Sequence, residues 1–147
     1  MSAGVSGGTG GTSGSELAEA IFDELRAGRN LPAGVGPDEA TAAVLCTLLA
    51  RLELAPSRAL LDALGEGTVR AIGSCPIHGG ELGERYDQIE LLRRVASHFE
   101  MAPAAVRPMT AAVLTAIRRR LPVAVAALID EQLPGPMREM WRGAGAR

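Results

Sequence analysis

Aromatic side chains are scarce: one Trp, one Tyr and two Phe make up 3% of a 147-residue chain. The core must then be filled by Leu, Val, Ile, Ala and Met, residues that suit helix-on-helix packing, whereas a β-sandwich needs more aromatic and β-branched content. Cysteine is limited to Cys46, inside an apolar helical run, and Cys75, inside a Gly-rich connection. That placement does not suit a secreted disulfide framework, so both thiols are read as reduced. No stretch approaches the roughly 20 apolar residues of a membrane span, and MSAGVSGGTGGTSGS at the N-terminus has neither a basic nor an apolar leader region. The expected location is the cytoplasm. Neither sign of charge dominates: 15 basic against 17 acidic residues leave −2, which offers no broad attraction for nucleic acid or an anionic membrane.

What is present is helical periodicity, 47% hydrophobic residues, and enough length for one core without staples. Residues 1–14 are almost wholly Gly, Ser, Thr and Ala and read as a flexible tail. Ser13 and Glu16 have capping-box spacing, and Leu17, Ile21 and Leu25 share a face up to Gly28. Pro37, Asp38 and Glu39 open a second helix carrying Ala40, Val44, Leu48 and Leu52. Pro56 opens a third through Leu60 and Leu64, with one more turn expected over 68–72. The connection 73–85 is rich in glycine and has no apolar period. Asp87 and Glu90 repeat the capping spacing before a stripe of Ile89, Leu92, Ala96 and Phe99 that ends near Met101. Pro103 or Pro108 then starts a helix with Val106, Met109, Val113 and Ile117; Pro122 opens another, and Pro134-Gly135-Pro136 precedes a last short one.

A shift of 69 residues lays Thr41–Ile72 over Thr110–Trp141 without a gap. Thr41-Ala42-Ala43-Val44-Leu45 repeats as Thr110-Ala111-Ala112-Val113-Leu114, Arg51-Leu52 as Arg120-Leu121, and Leu64 as Leu133. The expected fold is therefore an all-α helical bundle of two pseudo-repeated multi-helix units, copy one over 15–72 and copy two over 86–142, packed as one compact domain.

The second copy also carries Ala112-Val113-Leu114, Arg120-Leu121-Pro122, Ala126, Gln132-Leu133-Pro134 and Met137-Arg138-Glu139-Met140-Trp141. This run resembles the bacterial family catalogued as domain of unknown function 2267, whose members frequently carry the pattern twice. The resemblance spans Ser15 to Trp141 and is sharp in the second half. In the first copy Gln-Leu-Pro has become Ala63-Leu64-Gly65 and the closing Trp has become Ile72. It implies a helical bundle and no established reaction, so no catalytic residue is carried over and no cofactor is expected.

Cys75-Pro76-Ile77-His78 is the one local pattern that suggests chemistry, because a thiolate and an imidazole three apart can share a metal. A closed Zn²⁺ site needs four ligands, and the sequence offers only His98, Glu81, Glu84 or a second chain as additions. Cys75 with a His78 base lacks a marked third group for nucleophilic catalysis, though His78 beside it suits a redox-sensing thiol. Cys46 reads as a small buried hydrophobe and His98 as a half-exposed helix residue. Arg118-Arg119-Arg120 with Arg93-Arg94 forms a basic run better explained by the helix dipole, screened by Asp130 and Glu131.

Met137, Met140 and Trp141 on the last helix either cap the core or serve as partner anchors, with Arg138 beside them. The functional expectation is a non-catalytic protein-interaction or accessory helical protein, docking a protein partner or a second copy through Met137, Arg138, Met140 and Trp141. The competing expectation is a metal- or redox-responsive module at Cys75 and His78, or a small-ligand module.

Overall fold

The computed structural model describes the backbone of residues 3–73 and 83–143, with side chains from Glu16 onward. These residues form eight helices and no strand: α1 Ala3–Gly28, α2 Pro37–Arg51, α3 Leu54–Leu64, α4 Glu66–Ile72, α5 Gln88–Ser97, α6 Pro103–Arg119, α7 Val123–Gln132 and α8 Gly135–Arg142. The chain is an all-α bundle, as its composition requires. Cys75, His78 and Glu81 lie outside the described residues.

Local signals set most helix starts. Pro37 takes the first position of α2, and the Glu39 carboxylate accepts from the Gly36 N–H at 2.9 Å, which satisfies one of the orphan donors of the first turn. Asp87 caps α5 by accepting from the Glu90 N–H at 3.0 Å. Pro103, not Pro108, starts α6; Pro108 sits inside that helix, where its missing N–H leaves one preceding carbonyl without its helical donor. α3 begins two residues ahead of Pro56, which is tolerated because first-turn N–H groups are unpaired in any case. α5 stops at Ser97, short of Met101. Glu100 turns left-handed at φ 53° and the Met101 N–H donates back to the Ala96 carbonyl at 3.2 Å, closing the end.

At the other terminus helical backbone extends to Ala3, so Ser13 is not the start of α1. Six of residues 3–14 are glycine, each costing about 1 kcal/mol relative to Ala in a helix interior. Among the described side chains, α1 contributes Ala18, Ile21, Phe22 and Leu25 to the core. Deleting residues 1–14 is accordingly expected to leave the thermal unfolding midpoint unchanged, as differential scanning calorimetry will show.

α6 is the hub. It packs on α1, α2, α5 and α8, while α1 closes over α4 and α3 lies on α7. Val106, Met109, Val113, Leu114 and Ile117 supply its buried face. They meet Ile21 and Leu25, Leu48, Leu91, and the α8 trio Met137, Met140 and Trp141 in one continuous cluster. Buried threonines on helices spend their hydroxyls locally: Thr47 donates to the Ala43 carbonyl and Thr110 to that of Val106, which removes the penalty of an unpaired buried hydroxyl.

Candidate functional site

The residues after the connection gather a polar cluster on the α2–α5 face. Gly83 and Glu84 donate backbone N–H bonds to the Leu52 and Ala50 carbonyls at 2.8 and 3.0 Å, laying the incoming chain against the end of α2. Arg51 Nε then donates to the Tyr86 carbonyl at 3.0 Å, and the Tyr86 hydroxyl donates to the Thr47 carbonyl. The Arg94 guanidinium stacks on the Tyr86 ring at 4.2 Å and pairs with both Glu84 and Glu90 at 3.1 Å. Beside these groups is a shallow cleft of about 520 Å³ lined by Arg51, Arg85, Tyr86, Asp87, Glu90 and Pro134.

One turn further along from Arg94, the fold joins two residues that are 52 apart in the chain. Cys46 Sγ lies 4.0 Å from His98 Nε2, and His98 Nδ1 lies 2.8 Å from the Arg94 carbonyl. A carbonyl only accepts, so Nδ1 carries the proton and a neutral His98 turns its Nε2 lone pair toward the thiol. Sequence reading missed this pair because nothing in the spacing of 46 and 98 signals it. The one clue is that both fall at the margins of their helices' apolar stripes.

Three of the four α8 residues expected to meet a partner have no exposed surface. Met137, Met140 and Trp141 are wholly buried, and the Trp141 indole N–H donates to the Ala126 carbonyl at 3.4 Å. Arg138 is half-exposed and donates to the Asp130 carbonyl at 3.0 Å. A side chain with no exposed surface cannot meet a partner while this packing holds, so Met137, Met140 and Trp141 cap the core.

Among the described residues, exposed large apolar side chains lie elsewhere: Ile89 on α5 is 65% exposed, and the others are Leu54 and two residues of α7. This helix reads VAVAALIDEQ, yet Ile129 is its one buried residue. Val123 is 86% and Leu128 42% exposed, and Ala124 and Ala127 are exposed between them. Leu54, 52% exposed, adjoins the far end, where the Glu53 N–H donates to the Gln132 side chain at 3.3 Å.

A family model described as DUF2267, uncharacterized conserved protein, matches residues 18–140. The chain belongs to the DUF2267 family. No curated protein and no solved structure matches it.

In this DUF2267 chain the basic residues are largely neutralised, though not by the partners the sequence suggested. Glu24 on α1 takes Arg120 at 2.6 Å and Arg119 at 3.4 Å, while Asp130 takes Arg142 at 2.6 Å and Arg138 at 3.9 Å. Arg93 pairs with Glu90. Among the described residues no three His, Cys, Asp or Glu side chains gather as a metal cluster, and no helix is long and apolar enough to cross a membrane. Cys46 sits mid-helix, where the surrounding backbone N–H groups of α2 are spent on the helical ladder and do not serve as oxyanion donors.

Burial holds the Tyr86 phenol well above its ordinary value near 10, outweighing the opposing pull of Arg94. Hydrogen bonding to Glu84, ahead of that to Glu90, raises the Arg94 guanidinium further. Above pH 10 the unfolded phenol ionises while the folded one keeps its proton, so the unfolded state binds fewer protons and stability falls as pH rises. Tyr86→Phe is expected to flatten that alkaline slope in chemical denaturation between pH 9 and 11. It should also cost about 1 kcal/mol at neutral pH through the lost bond to Thr47.

Proposed function

We propose that this DUF2267 chain works by association with another protein, through the apolar face of α7, rather than by catalysis. The supporting observation is a mismatch between composition and burial. The first seven residues of α7 carry no polar side chain, yet only Ile129 among them is buried. Apolar side chains set contiguously on one helix face contribute through about 25 cal/mol for each Å² a partner covers. The core-capping role of Met137, Met140 and Trp141 moves the partner-facing residues to Val123, Ala124, Ala127 and Leu128, with Leu54 alongside. The duplication read from the sequence belongs to the same proposal. It is supported by the helix starts, since Leu54 and Val123 are 69 residues apart and so are Glu66 and Gly135.

All 15 basic residues are arginine, so amine-directed cross-linkers have no lysine to react with. A photo-reactive side chain placed at Val123 in cells is the suitable test. Adducts are expected from Val123 and Leu128 and not from exposed Arg93 on α5. Absence of adducts from both α7 positions overturns the reading.

A second reading has one observation in its favour. A metal- or redox-responsive module at Cys75 and His78 lacked a second thiol–imidazole pair in the sequence, and Cys46 with His98 is such a pair. The Nδ1 contact to the Arg94 carbonyl is the kind of orienting bond that metal-binding imidazoles make. Stoichiometric zinc in the purified full chain, lost in both Cys46→Ser and Cys75→Ser, supports it. Zinc-free protein that takes up none on titration removes it.

A further inference from the structure

We infer, independently of any partner on α7, that Cys46 is a modification site: a nucleophilic thiol that hydroperoxides oxidise, with His98 first taking and then returning the proton. The His98 Nδ1–H donates to the Arg94 carbonyl at 2.8 Å, which leaves Nε2 as a lone pair turned toward Cys46 Sγ, 4.0 Å away. His98 is also the C-cap residue of α5, a place where a helix dipole favours positive charge. Both features suit a ring that accepts the thiol proton. Cys46 and His98 are each half-buried, so a small solute can reach the sulfur. The pair is not a by-product of packing. In the register that lays 41–72 over 110–141, Cys46 falls on Thr115, whose hydroxyl is buried with no hydrogen-bond partner among the described residues. One half of the chain leaves the matching position unpartnered, and the other sets a thiol against an imidazole there.

The other charges around the pair are close to balance. The Tyr86 hydroxyl bonds the carbonyl of Thr47, the residue after Cys46, and the phenol senses Arg94, Glu84, Arg51 and Cys46 together. Glu84 and Glu90 both pair with Arg94. With two guanidiniums set against two carboxylates, the His98 imidazolium is the counter-charge that decides for a thiolate. Acyl transfer is unserved at this place, since the α2 N–H groups are not oxyanion donors, but a peroxide asks for none. The thiol proton passes to Nε2. The thiolate then attacks one peroxide oxygen, the S–O bond forming as the O–O bond breaks, and the departing hydroxide or alkoxide takes the proton from Nε2. Sulfur gives up two electrons, the peroxide gains them, and the products are a sulfenic acid and water or an alcohol. His98 ends in the tautomer in which it began.

The test is hydrogen peroxide added at pH 7 to the full chain carrying Cys75→Ser, so that Cys46 is the one thiol and no disulfide drains the product. A chelator is present, so that no zinc thiolate is read, and a cyclic 1,3-dione traps the sulfenic acid for mass spectrometry. An ordinary thiol is only a few per cent thiolate at pH 7, so Cys46 is expected to react about tenfold faster than N-acetylcysteine under the same conditions. Adding His98→Gln is expected to remove that gain while leaving the melting curve in place. A Cys46 rate no greater than that of N-acetylcysteine overturns the inference, whether or not the His98 variant folds. An unchanged rate in a folded His98→Gln chain overturns it as well.

Discussion

Trp141→Ala is expected to be the most damaging single substitution tested, lowering unfolding free energy by about 3–5 kcal/mol. Trp141 is the largest of the fully buried side chains, and α8, which carries it, is eight residues long and packs against α6. Truncation removes the largest apolar surface in the core and leaves a cavity walled by helices whose other contacts hold them in place, so little of the space can close. It also leaves the Ala126 carbonyl without the indole donor. For a chain of this length the melting temperature should drop by about 10 °C in calorimetry. Arg142→Ala, the next residue, whose ion pair with Asp130 faces solvent, should move it by an amount too small to resolve. Equal effects from the two would mean that α8 contributes through its surface and not through the core.

Ile129→Ala should have a comparable magnitude and a different character. Ile129 is the sole buried residue of α7 and has no exposed surface. Removing its side chain costs about 2–5 kcal/mol by the transfer and cavity terms together. Because no second buried residue holds α7 down, that loss should fall first on the local opening of this helix. Hydrogen exchange is the measurement that separates local from global loss. Amides of 125–132 should lose protection ahead of those of α6, while the same substitution at Ile117, on the hub helix, should lower protection throughout. If α7 and α6 amides change together in Ile129→Ala, the helix is coupled to the core by more than its one anchor. Loosening α7 is also expected to weaken any association through Val123 and Leu128, since a face that must first be ordered binds less tightly.

The physical content of the helical pattern explains why so much of the fold was legible. Leu17, Ile21 and Leu25 recur at i and i+4, and a chain with four aromatics and few β-branched runs has no other way to bury them. Asp87 and Pro37 announce helix starts because capping and the fixed φ of proline act within three or four residues. Two kinds of statement escaped. One concerned which of two local signals prevails, as with Pro103 over Pro108. There the decision comes from Val106 being drawn into the core at 0% exposure, which commits the preceding turn to the helix. The other concerned which apolar residues face inward. Met137, Met140 and Trp141 drew attention as large apolar residues on a short terminal helix, and they cap the core. The unobtrusive Val123 and Ala124 stand in solvent. Periodicity shows that a helix has an apolar side, and α7 is apolar around most of its circumference, so its pattern carries no direction.

The candidate sites divide along the same line. Sequence by itself determined that this is an all-α chain of near-neutral charge, where most helices begin, and membership of the DUF2267 family over residues 18–140, because propensity, capping and motif spacing are local properties. Only the tertiary structure decided that Cys46 meets His98 across 52 residues, that Glu24 rather than Asp130 answers Arg120, and that α7 rather than α8 presents apolar surface. Those outcomes depend on how helices separated in the chain are set against α6, and that arrangement is fixed by the burial of the whole core at once.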